Sequence, residues 1–161
     1  MNEVTFQELN QALSDPKNIV ITTHRNPDGD AYGSSLGLYW FLKQLGHEVT
    51  IVSPNDCPGF LKWMPGQSDI EIFESEPEKC TKILERAQMV FTLDYNAFHR
   101  LGELMEPVMS EISPVFVMID HHQEPEDFAK FSFVDPTMSS TSEMICPRPV
   151  IRTVRKAFSR M

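Results

Sequence analysis

Four short runs of apolar and β-branched residues constrain this chain most: NIVITT (18–23), HEVTIVS (47–53), QMVFTLD (88–94) and PVFVMID (114–120). They are nearly continuous rather than alternating, as strands covered on both faces are. The segments between them have helical length. Ala31 to Leu45 places Leu38, Phe41, Leu42 and Leu45 on one face, and Gly46 follows where a C-cap glycine sits. Glu76 to Ala87 reads as a polar helix and Phe98 to Met109 as a further helical segment. An amphipathic stretch, Phe6 to Leu13, precedes the first strand and stops at Asp15–Pro16. IEIF (70–73) is a short strand after a Pro/Asn/Gly-rich loop. Strands alternating with helices imply βαβ units. The expected class is α/β, a parallel sheet with helices on both faces.

At 161 residues the chain has the length of one ordinary domain. Its apolar runs fall far short of the roughly 20 residues a membrane span requires. The opening MNEVTFQELN is polar and acidic, unlike a secretory leader. Cys57, Cys80 and Cys146 form no C-x-x-C pair and read as free thiols. Together these features predict a cytoplasmic protein with no membrane partner. The net charge of −9 is unevenly spread, since residues 146–161 hold five of the fourteen Lys/Arg and no Asp or Glu. An acidic body does not attract nucleic acid through its long-range field. Phosphates could be handled only with positive charge supplied by bound cations.

In parallel sheets, ligands bind beyond the carboxyl ends of the strands. Polar groups gather at that edge. THRNPDGDAYGS (23–34) brings His24, Asp28 and Asp30 after the first strand, Asp94 ends another, and Asp120–His121–His122 ends a third. Imidazoles and carboxylates without thiolates suit Mn²⁺, Mg²⁺, Co²⁺ or Fe²⁺ better than structural zinc. Seven candidate ligands exceed what one ion needs, and two ions about 3.5–4 Å apart are the usual way to hold a phosphoryl group. Each piece alone has a plainer reading: a solvated turn for 24–30, a helix N-cap for Asp94, a surface pair for His121–His122. Their joint occurrence at one edge favours the metal reading.

HRNPDGDAYGS (24–34), LDYN (93–96) and DHH (120–122), in this order and spacing, resemble the first three motifs of the DHH phosphoesterase superfamily. The longer first motif, and FVDPTMSSTSEMI (133–145), resemble its exopolyphosphatase-related branch of bacterial nano-RNA oligoribonucleases and phosphoadenosine-phosphate phosphatases. The resemblance implies two Mn²⁺ sites: His24 and Asp28 at one, Asp30 and His121 at the other, Asp94 bridging. It implies that Asp120 orients a histidine and that His122 contacts the phosphate or supplies a proton to the leaving oxygen. Asn26, Ser34 and Arg100 are its substrate-side candidates. Packing of the first helical turn is the alternative for Ser34, and a structural salt bridge for Arg100. Short RNA or a nucleotide phosphate is the implied substrate. An inorganic pyrophosphatase or exopolyphosphatase, or a non-catalytic metal-binding fragment, is the alternative.

Members of this branch are about twice as long and carry a fourth motif and a nucleotide-clamp domain that are absent here. Ser140-x-x-Glu143 announces a helix as a capping box, yet Cys146–Pro147–Arg148–Pro149 stops it at once. The expectation is a partial DHH domain over 1–145, impaired in activity, with an exposed edge that favours a homodimer. The basic tail, 146–161, then reads as non-family sequence from a shifted reading frame or truncated gene. A genuine tail that touches nucleic acid is the other reading.

Overall fold

A computed structural model describes residues 3–145. The expected basic tail and domain boundary, 146–161, lie outside the described residues. Six strands form one parallel sheet in the order β3-β2-β1-β4-β5-β6. They are β1 (Asn18–Thr23), β2 (Glu48–Ser53), β3 (Glu71–Ile72), β4 (Met89–Leu93), β5 (Val115–Asp120) and β6 (Phe131–Val134). The register of β1 against both neighbours is continuous, Ile21 facing Ile51 on one side and Phe91 on the other.

Helices cover both faces, as the strand composition requires. On one side lie α1 (Glu3–Ala12), α2 (Gly29–Gln44) and α5 (Thr141–Ile145), whose Leu9, Leu38, Leu42 and Met144 pack with Ile19, Ile21, Phe91 and Val117. On the other, α3 (Pro77–Glu85) and α4 (Glu106–Glu111), with the N-cap residue Met105, bring Cys80, Leu84, Met105 and Met109 against Val20, Val52 and Val90. Successive strand residues thus feed opposite cores, and both faces of the sheet are covered. No helix among the described residues is long and apolar enough to cross a membrane.

Three elements depart from expectation. The segment 98–109 is not one helix: a 3-10 turn (Phe98–Leu101) ends at Gly102, whose φ of 80° lies in the left-handed region, and α4 begins only at Glu106. β6 was not visible as a strand because it has four residues and an exposed Ser132. IEIF contributes only Glu71–Ile72 to the sheet. The capping box forms in part. The Glu143 N–H donates to Ser140 Oγ at 3.0 Å, but the Glu143 carboxylate accepts from the Ser139 N–H instead of that of Ser140.

The chain reverses its winding direction between β1 and β4, with β2 and β3 built outward on one side and β5 and β6 on the other. That crevice is where doubly wound sheets place ligands. His24 follows β1 and Asp94 follows β4, so the two flank it directly.

Candidate metal centre

The loop after β1 is shaped before it is chemical. Asn26 takes a φ of 55°, tolerable for asparagine, and its N–H donates to Asn55 Oδ1 at 2.7 Å, which ties the loop to the segment after β2. Asp28 is the N-cap of α2, its Oδ1 accepting from the Asp30 and Ala31 N–H groups at 2.9 and 3.0 Å. The imidazole of His24, 8% exposed, places Nδ1 2.8 Å from the Arg25 carbonyl. A carbonyl only accepts, so Nδ1 carries a proton and Nε2 is left to face Asp94 Oδ2 at 3.5 Å. Burial lowers the affinity of His24 for a second proton, but the contact with Asp94 and the charge of Asp28 outweigh it and raise its pKa.

Asp94 sits at the centre. It is 2% exposed and holds a φ of 65°, the kind of backbone outlier that clusters at functional sites. Its neighbours explain how that conformation is kept. Tyr95 is fully buried with its hydroxyl 2.6 Å from Thr22 Oγ1, and Asn96 donates from Nδ2 to the Gln123 carbonyl at 2.8 Å. The L-D-Y-N motif thus pins the aspartate to β1 on one side and to the loop after β5 on the other. Asp94 Oδ2 faces His24, and Oδ1 lies 3.5 Å from His121 Nε2. The same His121 nitrogen is 3.7 Å from Asp30 Oδ2.

Asp120, fully buried, accepts from the His122 N–H at 3.0 Å and from its Nδ1 at 2.8 Å. This fixes the tautomer of His122 and turns Nε2 away from the carboxylate. Two sets of donor atoms lie within 4.8 Å of one another: His24, Asp28 and Asp94, and Asp94, His121 and His122. The donor chemistry fits a pair of divalent cations. It is all imidazole nitrogen and carboxylate oxygen, spaced so that modest side-chain movement closes on ligand bonds of about 2.0–2.2 Å.

The substrate-side candidates are placed less centrally. Ser34 is buried inside α2, where its hydroxyl donates to the Asp30 carbonyl at 2.7 Å. Arg100 is exposed on the 3-10 turn, with its carbonyl accepting from the Arg25 N–H at 2.8 Å and no ion pair among the described residues. Two residues of the FVDPTMSSTSEMI segment lie against the constellation instead. The Thr141 and Ser142 N–H groups each donate to one oxygen of Asp30 at 2.7 Å, and Thr141 Oγ1 donates to Asp94 Oδ1 at 3.0 Å. These bonds outweigh burial and hold the Asp30 carboxyl below the ordinary carboxylate range. A separate groove of about 720 Å³ opens at the opposite end of the sheet, where Lys79, Lys82 and Arg86 meet Glu48 and Glu76; it holds no member of the constellation.

Comparison with known proteins agrees with this geometry. The family described as "DHH family, N-terminal domain" matches residues 18–150. The bifunctional oligoribonuclease and PAP phosphatase NrnA of Thermus thermophilus is 36% identical over 138 residues, covering 86% of this chain and 37% of that protein. The crystal structure of an exopolyphosphatase-related protein from Bacteroides fragilis superposes with a TM-score of 0.88 at 36% identity, covering 95% of this chain and 46% of that one. RecJ of Thermus thermophilus, solved in complex with Mn²⁺, shares the fold at 17% identity and a TM-score of 0.53, covering 97% of this chain and 21% of that one. The chain therefore spans less than half the length of these relatives.

Proposed function

The chain belongs to the DHH family, and from that premise we propose that it is a two-metal phosphoesterase domain of the Mn²⁺ type, acting on phosphodiester or phosphomonoester bonds of short oligoribonucleotides or nucleotides. One observation carries the reading: Asp94 presents one carboxylate oxygen to each of two imidazoles, His24 and His121, each at 3.5 Å. A carboxylate so placed would be the shared ligand of two neighbouring cation positions. His24 and Asp28 would complete one; His121, with Asp30 3.7 Å from it, would complete the other, and His122 shares a donor set with Asp94 and His121.

Bound there, the ions would neutralise charge on the phosphate and lower the pKa of an attacking water. This accounts for an acidic chain acting on an anionic substrate. The chain's own groups do the rest. The Asp120 carboxylate, fully buried, holds His122 Nδ1–H, so Nε2 is the atom that faces substrate. In the imidazolium form, Nε2–H donates to a phosphate oxygen or gives its proton to the departing alcohol. The oligoribonucleotide and nucleotide classes rest on the likeness to the NrnA protein and on the long first motif.

The test is hydrolysis of a short RNA, phosphoadenosine phosphate and pyrophosphate side by side, with Mn²⁺ and with chelator. The expected result is Mn²⁺-dependent release from the first two, reduced to the metal-free background by Asp94→Asn and by His121→Ala. Turnover that survives both substitutions contradicts the assignment. Preference for pyrophosphate moves the substrate class and leaves the metal centre standing.

A further inference from the structure

We infer that Thr141 is a positioning residue for the metal centre, and that its side chain and backbone make the docking of α5 and the loading of metal a single coupled event. The inference rests on the two-metal reading above. Thr141 is fully buried and touches both carboxylates with different groups. Its Oγ1 donates to Asp94 Oδ1 at 3.0 Å, the oxygen that faces His121. Its N–H donates to Asp30 Oδ2 at 2.7 Å, the oxygen 3.7 Å from the same imidazole. Ser142 adds its own N–H to the other oxygen of Asp30 at 2.7 Å. A carboxylate oxygen has more than one lone pair, so each keeps capacity for a cation while it accepts these bonds. The carboxylates are thereby oriented before an ion arrives, and their ordering is not charged against binding.

α5 approaches α2 closely at Gly33, where a Cβ would stand 3.1 Å from Ser142 Oγ. The glycine of the D-A-Y-G-S segment therefore serves the metal centre from outside it, by admitting the element that holds Asp30 and Asp94. Coupling of this kind is reciprocal: whatever α5 contributes to cation affinity, the cation returns to the docking of α5.

The experiment titrates chelator-stripped protein with Mn²⁺ and reads free ion by electron paramagnetic resonance, with no substrate present. Thr141→Val keeps shape and removes the hydroxyl. It should bind about tenfold more weakly, in the range typical of lost hydrogen bonds behind metal ligands. Thr141→Ser should restore affinity to near that of the wild type. Gly33→Val, which alters no ligand and no hydrogen-bonding group, should weaken binding in the same direction by displacing Ser142, and it stands in if Thr141→Val does not fold. Amide exchange over 141–145 should slow on Mn²⁺ addition in the wild type, and less so in Thr141→Val. Equal affinity of wild type and Thr141→Val, or a Thr141→Ser protein as weak as Thr141→Val, overturns the inference while leaving the metal centre intact. Failure of the wild type to bind Mn²⁺ overturns both.

Discussion

Asp28 carries two tasks on one carboxylate. Oδ1 caps α2 by accepting from the Asp30 and Ala31 N–H groups, and the carboxylate also stands with His24 and Asp94 in one donor set. The tasks separate by substitution. Asparagine keeps a carbonyl oxygen for the cap but removes the charge. Alanine removes both. Asp28→Asn should therefore retain the thermal stability of the stripped protein while losing Mn²⁺ affinity, and Asp28→Ala should lose about 1 kcal/mol of stability as well, the usual contribution of an N-cap. Thermal melts in chelator, set beside Mn²⁺ titrations, check both halves. A variant Asp28→Asn as unstable as Asp28→Ala shows that charge, not capping, holds the helix start.

At the scale of elements, the starts of β1 and β2 are held together around His47. Its Nδ1 accepts from the Lys17 N–H at 3.2 Å, and the Glu48 N–H returns to the Lys17 carbonyl at 3.0 Å. Protonation would put a hydrogen on Nδ1 against a group that is itself a donor. Burial and the nearby Lys17 charge push the same way, so the pKa lies below its ordinary value of 6.5. The unfolded chain then binds the proton more readily than the folded one. Stability from this group is present above pH 6.5 and is lost as pH falls from there through the lower folded value. Denaturant unfolding in chelator at pH 7.5 and 5.5 should show the wild type losing more stability on acidification than His47→Gln, whose side chain does not titrate. Equal losses place the acid sensitivity elsewhere. The edge constellation was legible in part, the His47 junction not at all. The near-continuous strands announced a doubly covered sheet, and the aspartates at their ends announced where chemistry would sit. Three other things were not legible. β6 is short and half exposed, and Gly102 breaks a segment whose composition still reads as helical. The contacts of α5 with Asp30 span 111 and 112 residues of sequence, and no local pattern reports a pairing at that distance.

Across the whole molecule, the acidic balance and the site are one electrostatic problem. The chain carries 23 Asp and Glu against 14 Lys and Arg, and it draws Asp28, Asp30 and Asp94 together at the crevice between β1 and β4. Like charges so gathered oppose folding unless cations join them. Hydrogen bonds from α5 and from the α2 backbone satisfy these carboxylates but leave the charge uncancelled. A cation that binds only the folded state adds stability by mass action, about 2.7 kcal/mol at a free concentration one hundred times its dissociation constant. For a domain of this size that corresponds to a rise in Tm of about 10 °C, taking roughly 4 °C per kcal/mol. Melts with saturating Mn²⁺ should show that rise over chelator-treated protein. Sodium chloride at matched ionic strength should give only a small part of it, because screening acts over a Debye length of about 10 Å at 0.1 M and does not reach a buried carboxylate such as Asp94. Asp94→Asn should abolish the Mn²⁺-specific part and keep the response to salt. If salt reproduces the whole shift, the acidic edge is answering to general charge rather than to an ion held at the crevice, and the two-metal reading loses its energetic support.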